Sequence, residues 1–175
     1  MTSIEADERS GGEETMPEHS RERRFYVGSR EIAEEWYRYY KSLDQEASIY
    51  LRFMVAWMAF NYLYNEVDKN TEAKQIECFV CKHKDILMGF DAFNSPWIEP
   101  FKTQIRSRRL NESQTKQNAK KVQEGSIRHL LLSIYTVRCN LFHGNKSPNE
   151  DRDCELVEAA WHILDGYLNT LLPSK

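Results

Sequence analysis

The stretch VRCNLFHGNKSP, residues 137–148, places Arg138 and His143 with four residues between them near the end of an apolar segment. A guanidinium stays charged at every working pH and suits a phosphate, while an imidazole titrates near neutrality and moves a proton. Those two groups meet the main needs of cleaving a backbone that carries its own nucleophile. On position alone the arginine also admits a structural reading. Arg138 falls at the edge of the stripe Ile127, Leu130, Leu131, Ile134, Leu141, Phe142, so its stem packs on a core and its head either snorkels outward or pairs with an acid. Five residues at about 100° each set Arg138 and His143 about 140° apart on a straight helix. One cleft receives both only if the helix ends between them or a second copy supplies the missing group. Gly144 is placed to end it by a left-handed cap, where the dipole favours the imidazolium of His143.

The elements that position this pair read as helices. Ser29 is expected to cap a first helix from Arg30 to about Leu43, with Ile32, Trp36, Tyr39, Tyr40 and Leu43 as its apolar stripe. A second, from about Gln45 to Val67, is apolar on more than one face and belongs at the centre. A third segment, about 72–90, follows Asn70 or Thr71. Asn94, Ser95 and Pro96 interrupt the pattern before a short piece around Trp97–Ile105. Residues 106–120 read as a loop or frayed helix, Ile127 to about Phe142 as a strong helix, and about Asp151–Leu172 as the last. No alternating strand pattern competes. The expected class is all-α, an antiparallel bundle of four long helices with one or two short extra helices.

The 175 residues suffice for one cored domain, assigned to 21–175, while residues 1–20 carry one arginine against six acids and read as a disordered acidic tail. The net charge of −3 argues against a generic polyanion binder, but residues 101–128 hold eight Lys/Arg against two acids, a local basic face. Within it Lys102, Arg106, Arg108, Arg109, Lys116, Lys120 and Lys121 are candidates to track a nucleic-acid backbone, as is Lys146 beside the histidine. A solvated loop is the plainer reading of the same run. No apolar run reaches the ~18 residues of a membrane span and no export signal is visible, so a cytoplasmic protein with reduced thiols is expected. Cys78, Cys81 and His83 invite a zinc reading, but a structural site needs four ligands and no second CxxC or HxxxH occurs. Small core cysteines are the preferred account, and no metal is assigned. With no GxGxxG, P-loop or carboxylate cluster, no cofactor is expected either. Asn61 and Asn65, one turn apart on the most apolar helix, need partners if buried. Asn61 reads as support for the arginine–histidine cleft, Asn65 as an internal hydrogen bond.

RCNLFHG resembles the R-x4–6-H signature of the HEPN superfamily, helical domains that include many metal-independent endoribonucleases, and WMAFNYLYN (57–65) resembles the second-helix segment of bacterial members. The resemblance spans about Ser29 to Leu172. It implies a homodimer with a composite cleft, RNA as substrate, His143 as general base or acid, and Arg138 on the phosphate. The implied products are a 2′,3′-cyclic phosphate and a 5′-hydroxyl, with DNA spared for want of a 2′-hydroxyl. A toxin or defence effector with a cognate inhibitor or partner protein fits that class. A non-catalytic HEPN module binding RNA, a nucleotide or a protein is the alternative. Two positions depart from the pattern. Cys139 stands where a polar helper often follows the arginine, leaving Asn140 to orient His143, and Asn145 stands where some members carry a modifiable tyrosine.

Overall fold

A computed structural model describes residues 19–44, 46–65, 71–107, 113–142 and 151–173. The described chain is all-α, as expected from the sequence. Its helices are α1 (His19–Ser42), α2 (Ile49–Tyr64), α3 (Glu72–Lys82), α4 (Lys84–Leu87), α5 (Ile98–Ser107), α6 (Ser113–Gln123), α7 (Ile127–Phe142) and α8 (Asp151–Leu171), with a 3-10 turn at Ala92–Asn94. No helix among the described residues is long and apolar enough to cross a membrane.

Helix α2 is the centre. Ser48 caps it by accepting the Leu51 amide at 3.2 Å, which sets its start later than the expected Gln45. It ends at Tyr64; the expected end at Val67 lies outside the described residues. Phe53, Trp57, Phe60 and Tyr64 are all buried and meet in tilted and edge-on ring contacts along it. Helix α8 lies beside α2 in the same sense, since Tyr50 meets Cys154 near their starts and Leu63 shares a cavity wall with Leu171 near their ends. Helix α1 crosses α8 in the opposite sense, with Arg30 bonded to the Leu171 carbonyl and Lys41 paired to Asp165 at 2.8 Å.

Four expectations need correction. Helix α1 begins at His19, so Ser29 is interior to it rather than at its start, and His19 and Ser20 belong to the helix rather than to the acidic tail; residues 1–18 lie outside the described residues. The straight-chain run Arg21–Arg24 favours that extension. The buried face of α1 is Ala33, Tyr37 and Tyr40, while Ile32 and Tyr39 are exposed. Polar tips favour this rotation, because Tyr37 donates to Asn169 and Tyr40 accepts from Trp161 Nε1 at 2.6 Å, both partners on α8. The 72–90 segment breaks at His83, which ends α3 and starts α4, and this turn carries Leu87 into the core. Finally, where 106–120 read as a loop or frayed helix, Ser113–Gln123 is a regular helix, anchored by buried Asn118 and Val122.

The end of α6 is chemically explicit. Gly125 has φ +84, its amide reaches Val122 O at 3.0 Å, and the Ser126 amide reaches Lys121 O at 3.1 Å. This is a Schellman-type closure, which requires the left-handed conformation that glycine adopts without strain. Ser126 then starts α7, its hydroxyl sharing a 2.7 Å hydrogen bond with His129 Nδ1.

Candidate functional site: an arginine on an aromatic floor

Helix α7 buries Leu130, Leu131, Ile134 and Val137 against its neighbours, which fixes its rotation about its own axis. Arg138 follows Ile134 by four residues and so leans the same way, toward α2 and α3. Its side chain is 22% exposed, and Nη1 donates to Glu72 Oε2 at 3.2 Å; Glu72 is 26% exposed. The guanidinium carbon lies 4.6 Å from the centre of the Phe142 ring and 6.0 Å from that of Trp57, both within reach of cation–π attraction. Phe142 itself is 56% exposed, so the cation sits under an aromatic side chain open to solvent.

Glu72 stands in the first turn of α3, where its charge also faces the positive end of the helix dipole. Its second oxygen accepts from the hydroxyl of the fully buried Tyr64. Burial, and then the hydrogen bond to Glu72, push the Tyr64 phenol far above its ordinary range, so it remains a donor. Tyr135, one turn before Arg138, has its phenol raised by burial and by a hydrogen bond with Cys139. Among the described residues, Arg138 Nε and Trp57 Nε1 are buried without an acceptor. The result is a charged, partly open cluster whose hydrogen-bonding capacity is not exhausted.

The other sequence candidates fall in several places. His143, Lys146, Arg108 and Arg109, with Gly144 and Asn145, lie outside the described residues. Asn140 is half-buried, but two residues at about 100° each carry it to the far side of α7 from Arg138. Asn61 lies on the Trp57–Tyr64 stripe of α2, and its side-chain oxygen accepts from Asn65 Nδ2 at 2.7 Å. Arg106, Lys120 and Lys121 are exposed, Arg106 in the last turn of α5 and the lysines in that of α6. Lys121 pairs with Glu124 at 2.8 Å beside the start of α7, roughly 16 Å of helix from Arg138. Lys120 and Lys121 therefore lie at the opposite end of α7 from Arg138 within one chain.

Neither Cys78, half-buried, nor Cys81, exposed, is part of the core. No group of three or more His, Cys, Asp or Glu that could hold a metal ion occurs among the described residues. The residues that the sequence did not single out are Glu72 and Tyr64. An acid in the first turn of a helix carries no local sign that it will meet an arginine 66 positions later. Comparison with known proteins finds no matching family model, no similar curated protein and no similar solved structure.

Proposed function

We propose that the chain is a HEPN-type endoribonuclease that cleaves RNA without a metal, as a homodimer with a composite cleft. The observation that carries this reading is the setting of Arg138. The guanidinium is turned inward at the end of α7, oriented by one carboxylate and an aromatic floor, yet still partly open to solvent. Five residues later comes His143. In the proposed reaction an imidazole removes the 2′-hydroxyl proton, the oxygen attacks phosphorus, and the 5′-oxygen leaves with a proton. Arg138 offsets the charge that builds on the non-bridging oxygens. Arg106, Arg108, Arg109, Lys120, Lys121 and Lys146 supply phosphate contacts along the strand, while Asn61 and Asn140 act from behind the reacting groups. A cytoplasmic toxin or defence effector is the role that such an activity fits.

The test is incubation of unstructured RNA with the pure protein in EDTA, beside Arg138→Ala and His143→Ala. Cleavage that survives chelation, leaves cyclic-phosphate ends, spares DNA and vanishes in both variants is the expected result. Cleavage unchanged in both variants overturns it. The Arg138–Glu72 pair favours one second reading, a non-catalytic module, since a neutralised arginine is also what a structural or binding role uses. That reading predicts RNA retention without product.

A further inference from the structure

We propose that Glu72 is a displaceable counter-ion for Arg138, holding the guanidinium in place while the cleft is empty and yielding it to an entering phosphodiester. The inference rests on the reading of Arg138 as a phosphate-binding group.

Five features of the pair and its surroundings point to exchange rather than to a permanent strut. The contact is single-pronged, Nη1 to Oε2 at 3.2 Å, whereas a locked arginine–carboxylate pair uses two parallel bonds. Arg138 Nε is buried with no acceptor among the described residues, so a small swing that offers Nε and one Nη to a phosphate would satisfy a donor now left over. Glu72 also loses little by letting go. Its other oxygen keeps the Tyr64 hydroxyl, and the α3 N-terminus continues to favour its charge. Both side chains are about a quarter exposed, so an anion reaches the pair without unfolding anything. The flat faces of Phe142 and Trp57 keep the guanidinium near its plane as partners change.

The experiment is binding of a fluorescent 2′-O-methyl oligoribonucleotide, which cannot be cleaved, measured by anisotropy in EDTA. Glu72→Gln should bind about 2- to 5-fold tighter than the unaltered chain, the range of a partly exposed ion pair. Arg138→Ala should bind more weakly, and Glu72→Gln should add nothing in the Arg138→Ala background. Tyr64→Phe should act in the opposite direction and weaken binding, because Glu72 then has only Arg138 to hold. That variant decides the matter if Glu72→Gln fails to fold. Glu77→Gln, the same charge change at the acid paired with Arg128, should not reproduce the gain. An unchanged or weaker Glu72→Gln, or a gain that persists without Arg138, overturns the proposal. An intact cycle with no cleavage of ordinary RNA would sink only the nuclease reading, leaving Glu72 the gate of a phosphate-binding arginine. Arg138→Ala binding like the unaltered chain would remove both.

Discussion

Gly166 on α8 offers the sharpest test of the packing that holds the bundle. A Cβ built there would lie 2.2 Å from Phe90 Cζ and 2.4 and 2.5 Å from the two Cε atoms, so three ring atoms occupy the space a methyl needs. The ring is half-buried and stands edge-on to the fully buried Tyr167, with centroids 5.1 Å apart and planes at 86°, so moving aside breaks that contact. Overpacking of this kind costs up to about 3 kcal/mol. Replacing a mid-helix glycine with alanine returns ~1 kcal/mol through helix propensity. Gly166→Ala should therefore lose about 2 kcal/mol, read as a lower urea midpoint by circular dichroism with an unchanged slope. In a Phe90→Ala background the obstacle is gone and only the propensity gain remains, so the same substitution should stabilise by ~1 kcal/mol. A reversal of sign is hard to obtain by accident. If Gly166→Ala is neutral in the native background, or destabilises equally in both, the close approach of Phe90 to α8 is wrong.

Acid should weaken the fold before the carboxylates titrate. His83, His129 and His162 all have their pKa lowered, chiefly by burial, so each is more readily protonated in the unfolded chain. Their contribution is complete above the unfolded value of ~6.5 and is lost as pH falls below it toward their folded values. Thermal midpoints at pH 7.5 and pH 5.5 should show this loss, and a triple His→Gln variant should flatten it; an equal slope in the variant refutes the attribution. Tyr167→Phe removes a buried hydroxyl with no partner among the described residues and should raise stability by up to ~1 kcal/mol in urea titration. A loss of that size would reveal an unseen partner. If each cleft takes its arginine from one subunit and its histidine from the other, mixing inactive Arg138→Ala and His143→Ala chains should restore about a quarter of the native RNA cleavage in EDTA. No recovery after subunit exchange counts against a shared site.

Where apolar spacing was regular and partners were generic, the sequence was enough. Ile127, Leu130, Leu131 and Ile134 mark α7 because any apolar neighbour satisfies them, and the helix runs from Ile127 to Phe142 as the pattern predicts. The rotation of α1 was not legible for the opposite reason. Trp36, Tyr37, Tyr39 and Tyr40 offer aromatic surface all round the helix, and the choice among faces is made by Asn169, Asp165 and Trp161, more than a hundred residues away. The same limit hid Glu72. Arg138 was recognisable as an inward-leaning cation that needed an acid, but nothing near it in the chain says which one. Helix α6 was legible only as a loop or frayed helix because, among its described side chains, the buried face is a single valine with Asn118 and part of Ala119, and its other residues have the polarity of a loop.

The geometry around α7 limits how Arg138 can take part in any proton-transfer chemistry. Its head is directed at α2 and α3, and Asn140 leaves the helix about 200° away from it. A residue five positions on would stand about 140° away were the helix to continue, too far round to share one phosphate with the guanidinium. The described helix ends at Phe142; on the proposed nuclease reading, a shared cleft would require the chain to change direction before the histidine or a second copy to supply the imidazole. The exposed Phe142 ring, packed on the guanidinium, bears on that choice. Covering the 56% exposed Phe142 ring would remove apolar area from water beside the cation. A two-fold contact near the ends of two α7 helices would cover it, drive water from the arginine, and strengthen the guanidinium's pull on an anion through the lower local dielectric. On the proposed reading, assembly and catalytic competence would then be one event, with Glu72 as the arginine's counter-ion in the empty cleft.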